Sequence, residues 1–339
     1  MKIIIDVMGG DNAPGELVDG AYQASLEIPA DYVLVGDKAQ IEEAAEKRGI
    51  DISAFEIVHT PVFITMEDDP MCVTRSKNDS SMSVGMRLLA EGGGDAFVST
   101  GNTGALYTGA NLIVRKVRGI QRPAIATVLP MNPPVLLLDS GANINVLPEY
   151  LEQFAVMGAV YMKKIYGTEN PRVGLLNNGS EECKGTELQL AAYSQLKDCS
   201  LINFVGNVEA NKLPYDVCDV IVTDGFTGNI LLKSIEGMGK LMLDTMKNIF
   251  YTNAGTKMAA LLVKKQLSAV KKSFDSSEHG GAPILGISKP VIKAHGSSRA
   301  KAFKSAIRQA VSYAQTGISD DIAASARILA EKRKAEKVK

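Results

Sequence analysis

Tryptophan is absent from this chain of 339 residues, and cysteine and histidine are scarce, with four and three residues respectively. The four cysteines include no C-x-x-C pair, so neither a zinc cage nor a disulfide framework is indicated. An excess of charge is also missing, because 37 Lys and Arg residues are balanced by 38 Asp and Glu residues. The sequence therefore predicts no metal site and no whole-protein positive field that would gather nucleic acid.

Long apolar runs are missing as well. The run from Ile3 to Ile5 ends at Asp6 and is shorter than the ~7–15 residues of a signal-peptide core. No stretch reaches the ~18 consecutive apolar residues of a membrane-spanning helix. We therefore predict a cytoplasmic protein, and we expect any contact with the inner face of the cell membrane to be peripheral.

Several catalytic signatures are absent too. No G-x-G-x-x-G follows the first predicted strand and no G-x-x-x-x-G-K-[ST] occurs, so a dinucleotide fingerprint and a nucleotide P-loop are both unsupported. The G-x-S-x-G elbow of serine hydrolases and the H-E-x-x-H helix of metalloproteases are also missing. These absences weaken the nucleotide-binding, serine hydrolase and metalloprotease interpretations.

Short apolar runs alternate along the chain with helical patterns. We predict strands at residues 3–7, 32–35, 55–58, 96–99, 135–138, 173–176, 202–205 and 220–223, and a helix over 148–165. Parallel strands need crossover connections, so the alternation favours an α/β sheet with helices on both faces and a ligand at the carboxyl ends of the strands. The length suits one bilobal enzyme over residues 1–339, with a lobe boundary near residue 148.

Glycine-rich turns with small polar residues follow several of these strands, at residues 8–12, 100–104, 139–143, 177–179 and 224–229. Glycine lets the backbone approach a ligand closely, and a helix that begins next points unpaired N–H groups at an anion. Phosphate is the obvious candidate. The alternative interpretation is that these are ordinary tight turns in which glycine supplies an unusual backbone angle.

One of these local patterns occurs twice. Residues 95–105 and 219–229 align without a gap, and both are typical of a strand, a turn of glycine and threonine, and a helix. The aligned segments are too short to prove a duplication, but they indicate the same physical solution at two places.

Two titratable side chains stand out near such turns. His295 lies between the strand-like pair Val291 and Ile292 and a serine-capped helix start, where it could act as a catalyst or as a structural hydrogen-bonding group. Lys184 follows two acidic residues, and its ammonium could neutralise a phosphate or balance those acids on a helix surface. The pattern alone leaves both alternatives open.

Seven phrases, at residues 6–11, 75–82, 99–105, 119–124, 139–143, 224–229 and 291–296, together carry a family resemblance that spans nearly the whole chain. Their combination resembles the PlsX family of phosphate acyltransferases, with modest departures at Val7, Thr100 and Ser140. The resemblance implies a Rossmann-like three-layer α/β/α sandwich with a mostly parallel sheet, usually assembled as a homodimer.

The resemblance also implies an activity. It is the transfer of a fatty acyl group from an acyl carrier protein thioester to inorganic phosphate, which gives acyl phosphate for phospholipid synthesis and needs no cofactor. Phosphate is itself the nucleophile, so the protein has to position it and to stabilise charge on the thioester carbonyl oxygen. The expected partners are acyl carrier protein, phosphate and a second copy of this chain.

The expected site residues follow from the turns and from this resemblance. The candidate catalytic residues are Lys184, His295 and Asn229, and the candidate phosphate-binding residues are Gly101, Asn102, Thr103, Gly104, Thr227 and Gly228. Further substrate contacts are expected from Asp6, Gly9, Gly10, Asp11, Asp139, Asn143 and Asp224.

Two segments are candidate contact regions. Arg115, Lys116, Arg118 and Arg122 form a basic stretch that could dock an acidic carrier, or could be an ordinary helix end. Residues 226–275 are expected to form a helical protrusion, and within it residues 256–274 carry five lysines and no acid. Apolar residues at helical spacing favour an interfacial membrane helix there, and packing on a dimer partner is the alternative.

Two other functions fit part of these patterns. A phosphotransacetylase-like enzyme would use the same turns and would attack a coenzyme A thioester instead of the carrier thioester. A peripheral membrane scaffold without turnover would use the cationic, amphipathic C-terminal third, but it leaves the polar glycine turns unexplained.

Overall fold

The computed structural model describes residues 1–264 and 280–338 and contains two mostly parallel sheets. The first sheet contains β1 (Lys2–Asp6), β2 (Asp31–Gly36), β3 (Glu56–His59), β4 (Ala96–Ser99), β5 (Ala124–Ile125), β11 (Ala282–Leu285) and β12 (Val291–Lys293). The second contains β6 (Thr127–Leu129), β7 (Val135–Leu138), β8 (Arg172–Asn177), β9 (Asn203–Glu209) and β10 (Val220–Val222). The spatial orders are β3-β2-β1-β4-β12-β11-β5 and β6-β7-β10-β8-β9.

Helices connect and cover the strands. They are α1 (Gly15–Ser25), α2 (Lys38–Arg48), α3 (Ser81–Ala90), α4 (Thr103–Gly109), α5 (Pro148–Tyr166), α6 (Glu187–Lys197), α7 (Gly225–Phe250), α8 (Ala254–Leu262), α9 (Ala300–Gln315) and α10 (Ile318–Val338). Two short 3-10 helices cover Pro70–Thr74 and Ala210–Tyr215, and α4 continues as a π-helical segment, Ala110–Arg115.

Burial explains why the strands are continuous apolar runs and do not alternate between apolar and polar residues. Ile3, Ile4 and Ile5 of β1 are all fully buried, as are all four residues of β7. A parallel strand that helices cover on both faces contacts apolar groups on both sides, so it shows no polar alternation. The predicted α/β fold is confirmed, and each of the eight predicted strands overlaps an observed one.

The predicted helix over residues 148–165 is also present, as α5. Pro148 stands in its first turn, where a missing N–H costs nothing, and Gly167 ends it with a φ of 70°. One helix face packs into the core of the second sheet, where Phe154 is fully buried.

The chain changes sheet twice. It leaves the first sheet after Ile125, enters the second at Thr127 and returns to the first at Ala282. The first change therefore precedes Pro148, and the lobe boundary near residue 148 stays a prediction.

The two similar segments also have the same structural surroundings. Asp95 precedes β4 and its carboxylate accepts a hydrogen bond from the backbone N–H of Lys2, over 2.7 Å. Asp219 precedes β10 and its carboxylate accepts from the backbone N–H of Arg172, also over 2.7 Å. In both sheets the aspartate thus binds the start of another strand of the same sheet, and a helix follows the next turn.

Helices α7 and α8 are largely exposed. The described buried residues of α7 are three glycines, and α8 has no buried residue. Apolar side chains nevertheless face outward, with Met258, Leu261 and Leu262 exposed by 69%, 70% and 81%. Among residues 1–264 and 280–338, no helix combines the length and apolar character needed to cross a membrane. The segment 265–274 of the predicted interfacial helix lies outside the described residues.

Candidate active site

A cavity of about 1760 Å³ is lined by loops of both sheets and continues along α7 and α8. Its polar end includes Asp11, Thr103, Ser140, Asn229, Lys233, Lys293 and His295. Its arm along α7 and α8 has a mixed lining. The apolar residues there include Leu232, Ile235, Leu243, Met246, Phe250 and Leu261, and the charged residues are Glu236, Lys240, Asp244, Lys247, Lys257 and Lys264. The arm follows α7 for roughly 30 Å at the ~1.5 Å rise per residue of an α-helix.

The turn after β4 is built around the buried carboxylate of Asp6. Its Oδ2 atom accepts from the Ser99 hydroxyl over 2.7 Å, and that hydroxyl accepts from the backbone N–H of Gly101 over 3.0 Å. A Cβ atom on Gly9 would lie 2.7 Å from the Gly101 backbone, so the turns after β1 and β4 need glycine for their close packing. Burial raises the pKa of Asp6.

The turn after β1 also contacts the turn after β12. Gly10 has a φ of 84°, and a Cβ atom there would lie 2.7 Å from the Gly296 carbonyl oxygen. That carbonyl accepts from the backbone N–H of Asp11 over 2.9 Å, and the Asp11 side chain lines the cavity. The structure therefore brings the predicted residues 6 to 11 beside His295 and the 101–104 turn.

Asn102 is occupied by contacts within the protein. Its Oδ1 atom caps α4 by accepting from the backbone N–H of Ala105 over 3.0 Å. Its Nδ2 atom lies 3.0–3.3 Å from the carbonyl oxygens of Thr65, Met66 and Asp68. The side chain therefore ties the 65–68 loop to the start of α4, and a phosphate contact of this residue would have to come from its backbone N–H.

The backbone donors at the start of α4 are better placed for an anion. The N–H groups of a first helical turn have no partner within the helix. Thr103 lines the cavity, and a Cβ atom on Gly104 would lie 2.7 Å from the Pro70 side chain. Thr103 and Gly104 thus sit where the sequence predicts phosphate, although their binding role stays a prediction.

Asp139 organises the turn after β7. Its two carboxylate oxygens accept from the backbone N–H groups of Ile125, Gly141, Ala142 and Asn143, over 2.6–3.2 Å. The amide of Asn143 also donates to it over 2.8 Å. Burial raises the pKa of Asp139, against the lowering effect of these donors. Asp139 and Asn143 therefore hold a turn in shape, and neither lines the cavity in the described structure.

The start of α7 packs on this same turn. Asp224 caps the helix by accepting from the backbone N–H of Thr227 over 2.8 Å, and Gly225 donates to the Asn143 carbonyl over 2.7 Å. A Cβ atom on Gly228 would lie 1.9 Å from the Asp139 carbonyl oxygen, so only glycine fits there. The next residue, Asn229, is exposed and lines the cavity.

His295 lines the polar end of the cavity. Its Nδ1 atom accepts from the backbone N–H of Ser297 over 3.2 Å and lies 2.8 Å from the Ser297 hydroxyl oxygen, which favours the tautomer with the ring proton on Nε2. Although part of the ring faces solvent, loss of hydration in the cleft and the nearby cations Lys233 and Lys293 lower its pKa. The imidazole is therefore uncharged at pH 7.

Lys293 is a residue of the candidate site that the sequence analysis did not predict. Its Nζ atom donates to the Thr100 carbonyl over 3.2 Å and to the Ala294 carbonyl over 2.5 Å, and the residue lines the cavity. Burial lowers the pKa of its ammonium to about 8, against the attraction of Asp11 and Asp6. It lies within the phrase 291–296, but its contact with the 100–104 turn depends on the pairing of β12 with β4.

Lys184 lies apart from these groups. It is exposed on the turn between β8 and α6, where its carbonyl accepts from the Asn177 side chain over 3.1 Å. Within the described part of the chain it does not line the cavity. Its catalytic role stays a prediction that the cavity does not support.

The basic stretch is exposed, as docking would require. Arg115, Lys116, Arg118 and Arg122 are all exposed, and no ion pair is found for them among the described residues. The guanidinium of Arg122 lies 5.9 Å from the centre of the Tyr150 ring, a cation–π distance. The stretch precedes β5, whose Ile125 lines the cavity.

Among the residues that the structure describes, no group of three or more His, Cys, Asp or Glu side chains is arranged to hold a metal ion. The four cysteines are free thiols, of which Cys183 is exposed.

Comparisons with known proteins identify relatives of this chain. A family model described as a fatty acid synthesis protein matches residues 1–321. A phosphate acyltransferase of Acetivibrio thermocellus is 46% identical over 324 residues, which is 95% of each chain. A phosphate acyltransferase of Clostridioides difficile is 44% identical over 324 residues, again 95% of each chain.

A solved structure supports the fold. A phosphotransacetylase from Streptococcus pyogenes superposes with a TM-score of 0.61 over 93% of this chain and 94% of that chain, at 17% sequence identity. At such low identity the likeness concerns the Rossmann-like fold alone. The family model and the two acyltransferases confirm the PlsX resemblance, and the chain belongs to the fatty acid synthesis protein family.

Proposed function

We propose that the protein is a phosphate acyltransferase, which transfers a fatty acyl group from the thioester of acyl carrier protein to inorganic phosphate. The single observation that carries this proposal is the cavity, which joins a polar end with two lysines and Asp11 to an arm along α7 and α8 that apolar and charged side chains line together. Such a cavity accommodates a small anion and a long hydrocarbon chain at the same time. The names of the related acyltransferases support the same reaction.

Phosphate is assigned to the polar end, against the turns at residues 101–104 and 227–229. The backbone N–H groups of Thr103 and Gly104 at the start of α4 would donate to its oxygens, and the Asn229 side chain would orient it from the first turn of α7. The acyl chain would lie along α7, where Leu232, Ile235 and Leu243 face the cavity. The thioester carbon then lies where the two parts of the cavity meet.

The reaction needs no redox step. A phosphate oxygen forms a bond to the acyl carbon, and the bond from that carbon to the thioester sulfur breaks. The proton that hydrogen phosphate loses ends on the released thiol of the carrier, so atoms and charge balance. Because phosphate is the nucleophile, we propose that no cofactor takes part.

His295 is proposed to stabilise the negative charge that develops on the thioester oxygen. A neutral imidazole with its proton on Nε2 can donate a hydrogen bond without first losing a proton. Fixed donors of this kind act on the transition state more than on the ground state. His295 therefore serves as a hydrogen-bond donor in this mechanism, and not as the proton shuttle.

The finer partner assignments remain part of the proposal. Acyl carrier protein, which is acidic, would dock on the exposed cations Arg115, Lys116, Arg118 and Arg122. Segment 256–274 would contact the inner face of the cell membrane and release product there, and the protein would otherwise be cytoplasmic. A homodimer is proposed from the family resemblance.

The decisive test separates the carrier from coenzyme A. Purified protein is incubated with labelled phosphate and with a matched acyl chain on either acyl carrier protein or coenzyme A. Labelled acyl phosphate from the carrier thioester supports the proposal. Product from coenzyme A alone would assign a phosphotransacetylase-like activity, and no acyl phosphate from either donor would favour the scaffold.

A further inference from the structure

The position of Lys293 follows from sheet pairing. It is the last residue of β12, and its Cα atom is in parallel register with that of Ser99 at the end of β4. The register places its side chain beside the turn that begins at Thr100. Its Nζ atom bonds to the Thr100 carbonyl at the base of that turn.

The ammonium group has one donor to spare. A protonated lysine has three N–H bonds, and the carbonyls of Thr100 and Ala294 account for two. No further hydrogen-bond partner is found for the third among the residues that the structure describes. Asp11 and Asp6 attract the charge from nearby, yet neither forms a contact ion pair with it in that part of the chain. A partly buried cation without a contact counter-ion can stabilise an anionic ligand.

We propose that Lys293 is a catalytic residue that donates its third N–H bond to the attacking phosphate. This inference rests on the proposed function and adds to it a cation that lines the cavity, which Lys184 does not. Donation to the Thr100 carbonyl at the same time couples the position of the anion to the shape of the 100–104 turn. The charge-assisted bond is of the strong kind that fixes oxyanions in proteins.

Lys289 is a matched control in the same part of the fold. It precedes β12, and its Nζ atom also donates to a backbone carbonyl, that of Gly94, over 3.2 Å. Unlike Lys293, it does not line the cavity in the described structure. If Lys293 merely supports a backbone turn, the two lysines should behave alike.

The experiment compares Lys293→Met, Lys293→Arg and Lys289→Met, with the full chain, labelled phosphate and the carrier thioester. The methionine variant at position 293 should raise the phosphate KM roughly ten- to hundredfold, because a charge-assisted hydrogen bond is lost. Lys289→Met should leave that KM unchanged. Thermal unfolding of all three variants checks that each is folded.

The pH dependence supplies a second readout. As pH rises through about 8, Lys293 loses its proton, and its attraction for phosphate falls. The other groups that face it, His295, Lys233, Asp11 and Asp6, are present in wild type and in Lys293→Arg alike. Because arginine stays charged, Lys293→Arg should move the alkaline fall in kcat/KM for phosphate to higher pH.

Failure of this inference is distinguishable from failure of the proposed function. If wild type makes no acyl phosphate, the proposed function is wrong, whatever the variants do. If wild type is active and Lys293→Met keeps a normal phosphate KM, or Lys289→Met shifts it equally, the phosphate contact of Lys293 is refuted. An unchanged alkaline limb in an active Lys293→Arg variant would refute it too.

Discussion

The hydroxyl of Tyr107 in α4 donates to the Oδ1 atom of Asn143 over 3.0 Å and lies 3.1 Å from the Pro123 carbonyl. The backbone carbonyl oxygen of Asn143 in turn accepts a hydrogen bond from the backbone N–H of Gly225 at the start of α7. A short path of hydrogen bonds therefore joins the two helices whose N-termini flank the cleft. The spacing of the proposed phosphate donors depends on this path.

Replacing Tyr107 with Phe should disturb this spacing. The variant leaves Asn143 Oδ1 without its donor, so we expect a loss of about 1 kcal/mol in the free energy of unfolding. We expect a fall of about tenfold in kcat, because small displacements of positioned donors are costly in catalysis. Steady-state kinetics and chemical denaturation measure the two effects.

The control for that variant is Tyr193→Phe. Tyr193 donates to Glu182 over 2.9 Å on an exposed surface away from the cavity, so its loss should change neither quantity greatly. An unchanged kcat in Tyr107→Phe would show that the path does not set the catalytic geometry.

Asn102→Ala and Asn229→Ala should differ in their effects on stability and turnover, although the sequence predicts that both residues are turn amides near phosphate. Asn102 caps α4 and binds the 65–68 loop, so its loss should cost about 1–3 kcal/mol of unfolding free energy. Asn229 is exposed in the cleft, so its loss should lower turnover with little change in stability. Thermal unfolding and phosphate kinetics on the same samples separate the two. Normal phosphate kinetics in Asn229→Ala would remove it from the site.

His295→Gln should keep much of the activity that His295→Ala loses. Glutamine retains an N–H donor, whereas alanine removes it, and the loss of one oxyanion donor costs roughly 10²–10³-fold in kcat. Because the pKa of His295 is lowered, the ring stays neutral through the pH range in which an ordinary histidine becomes charged, and protonation becomes relevant only at lower pH. A glutamine variant as inactive as alanine, with an acid limb lost from its pH-rate profile, would assign proton transfer to His295 instead.

Most strands and helices were predictable because buried segments have a recognisable local sequence pattern. Parallel strands covered on both faces become apolar runs, and α5 carries a proline at its start and a glycine after its end. Strands β5, β6 and β11 were not predicted; they are two, three and four residues long and pair antiparallel at the edges of their sheets or next to them.

The site was predictable only where glycine marks it. Gly10 and Gly228 stand out because other residues would clash with neighbouring backbone. Lys293 lies in one of the seven phrases, but its place beside the 100–104 turn depends on a pairing between strands that are distant in the sequence. Likewise, the carbonyls that occupy Asn102 lie more than thirty positions away, beyond any local motif.

Charge reversal at Arg115 and Arg118 should weaken carrier binding. Both side chains are exposed, and acidic carriers are attracted by such cations, so we expect the carrier KM to rise about tenfold at low salt and less at high salt. Reversal of Lys38 and Lys47 on α2, which are also exposed, is the matched control. Equal carrier KM values for both double variants at low salt would refute docking at this stretch.

Leu261→Glu with Leu262→Glu should abolish binding to anionic vesicles. Both side chains are largely exposed on α8. The two substitutions would therefore remove apolar area that could insert into a membrane, with little loss of folding stability. Leu261 also lines the cavity, so Leu262→Glu alone shows whether turnover is spared. Sedimentation with phosphatidylglycerol and phosphatidylcholine vesicles gives the binding.

The control for the membrane variants is Leu190→Glu, because Leu190 is an exposed apolar residue of α6. It should leave vesicle binding intact. Retention of the double variant on anionic vesicles would contradict the membrane assignment. Loss of the oligomer in gel filtration would indicate that α8 packs on a partner copy instead.

The central claim is that phosphate binds in the cleft where the turns of the two sheets face each other. A crystal structure of the protein soaked in phosphate tests it most directly. We predict an anion within hydrogen-bonding distance of the Thr103 backbone N–H, the Asn229 amide and the Lys293 Nζ atom. A phosphate bound beside Lys184, with the cleft unoccupied at saturating phosphate, would contradict the account.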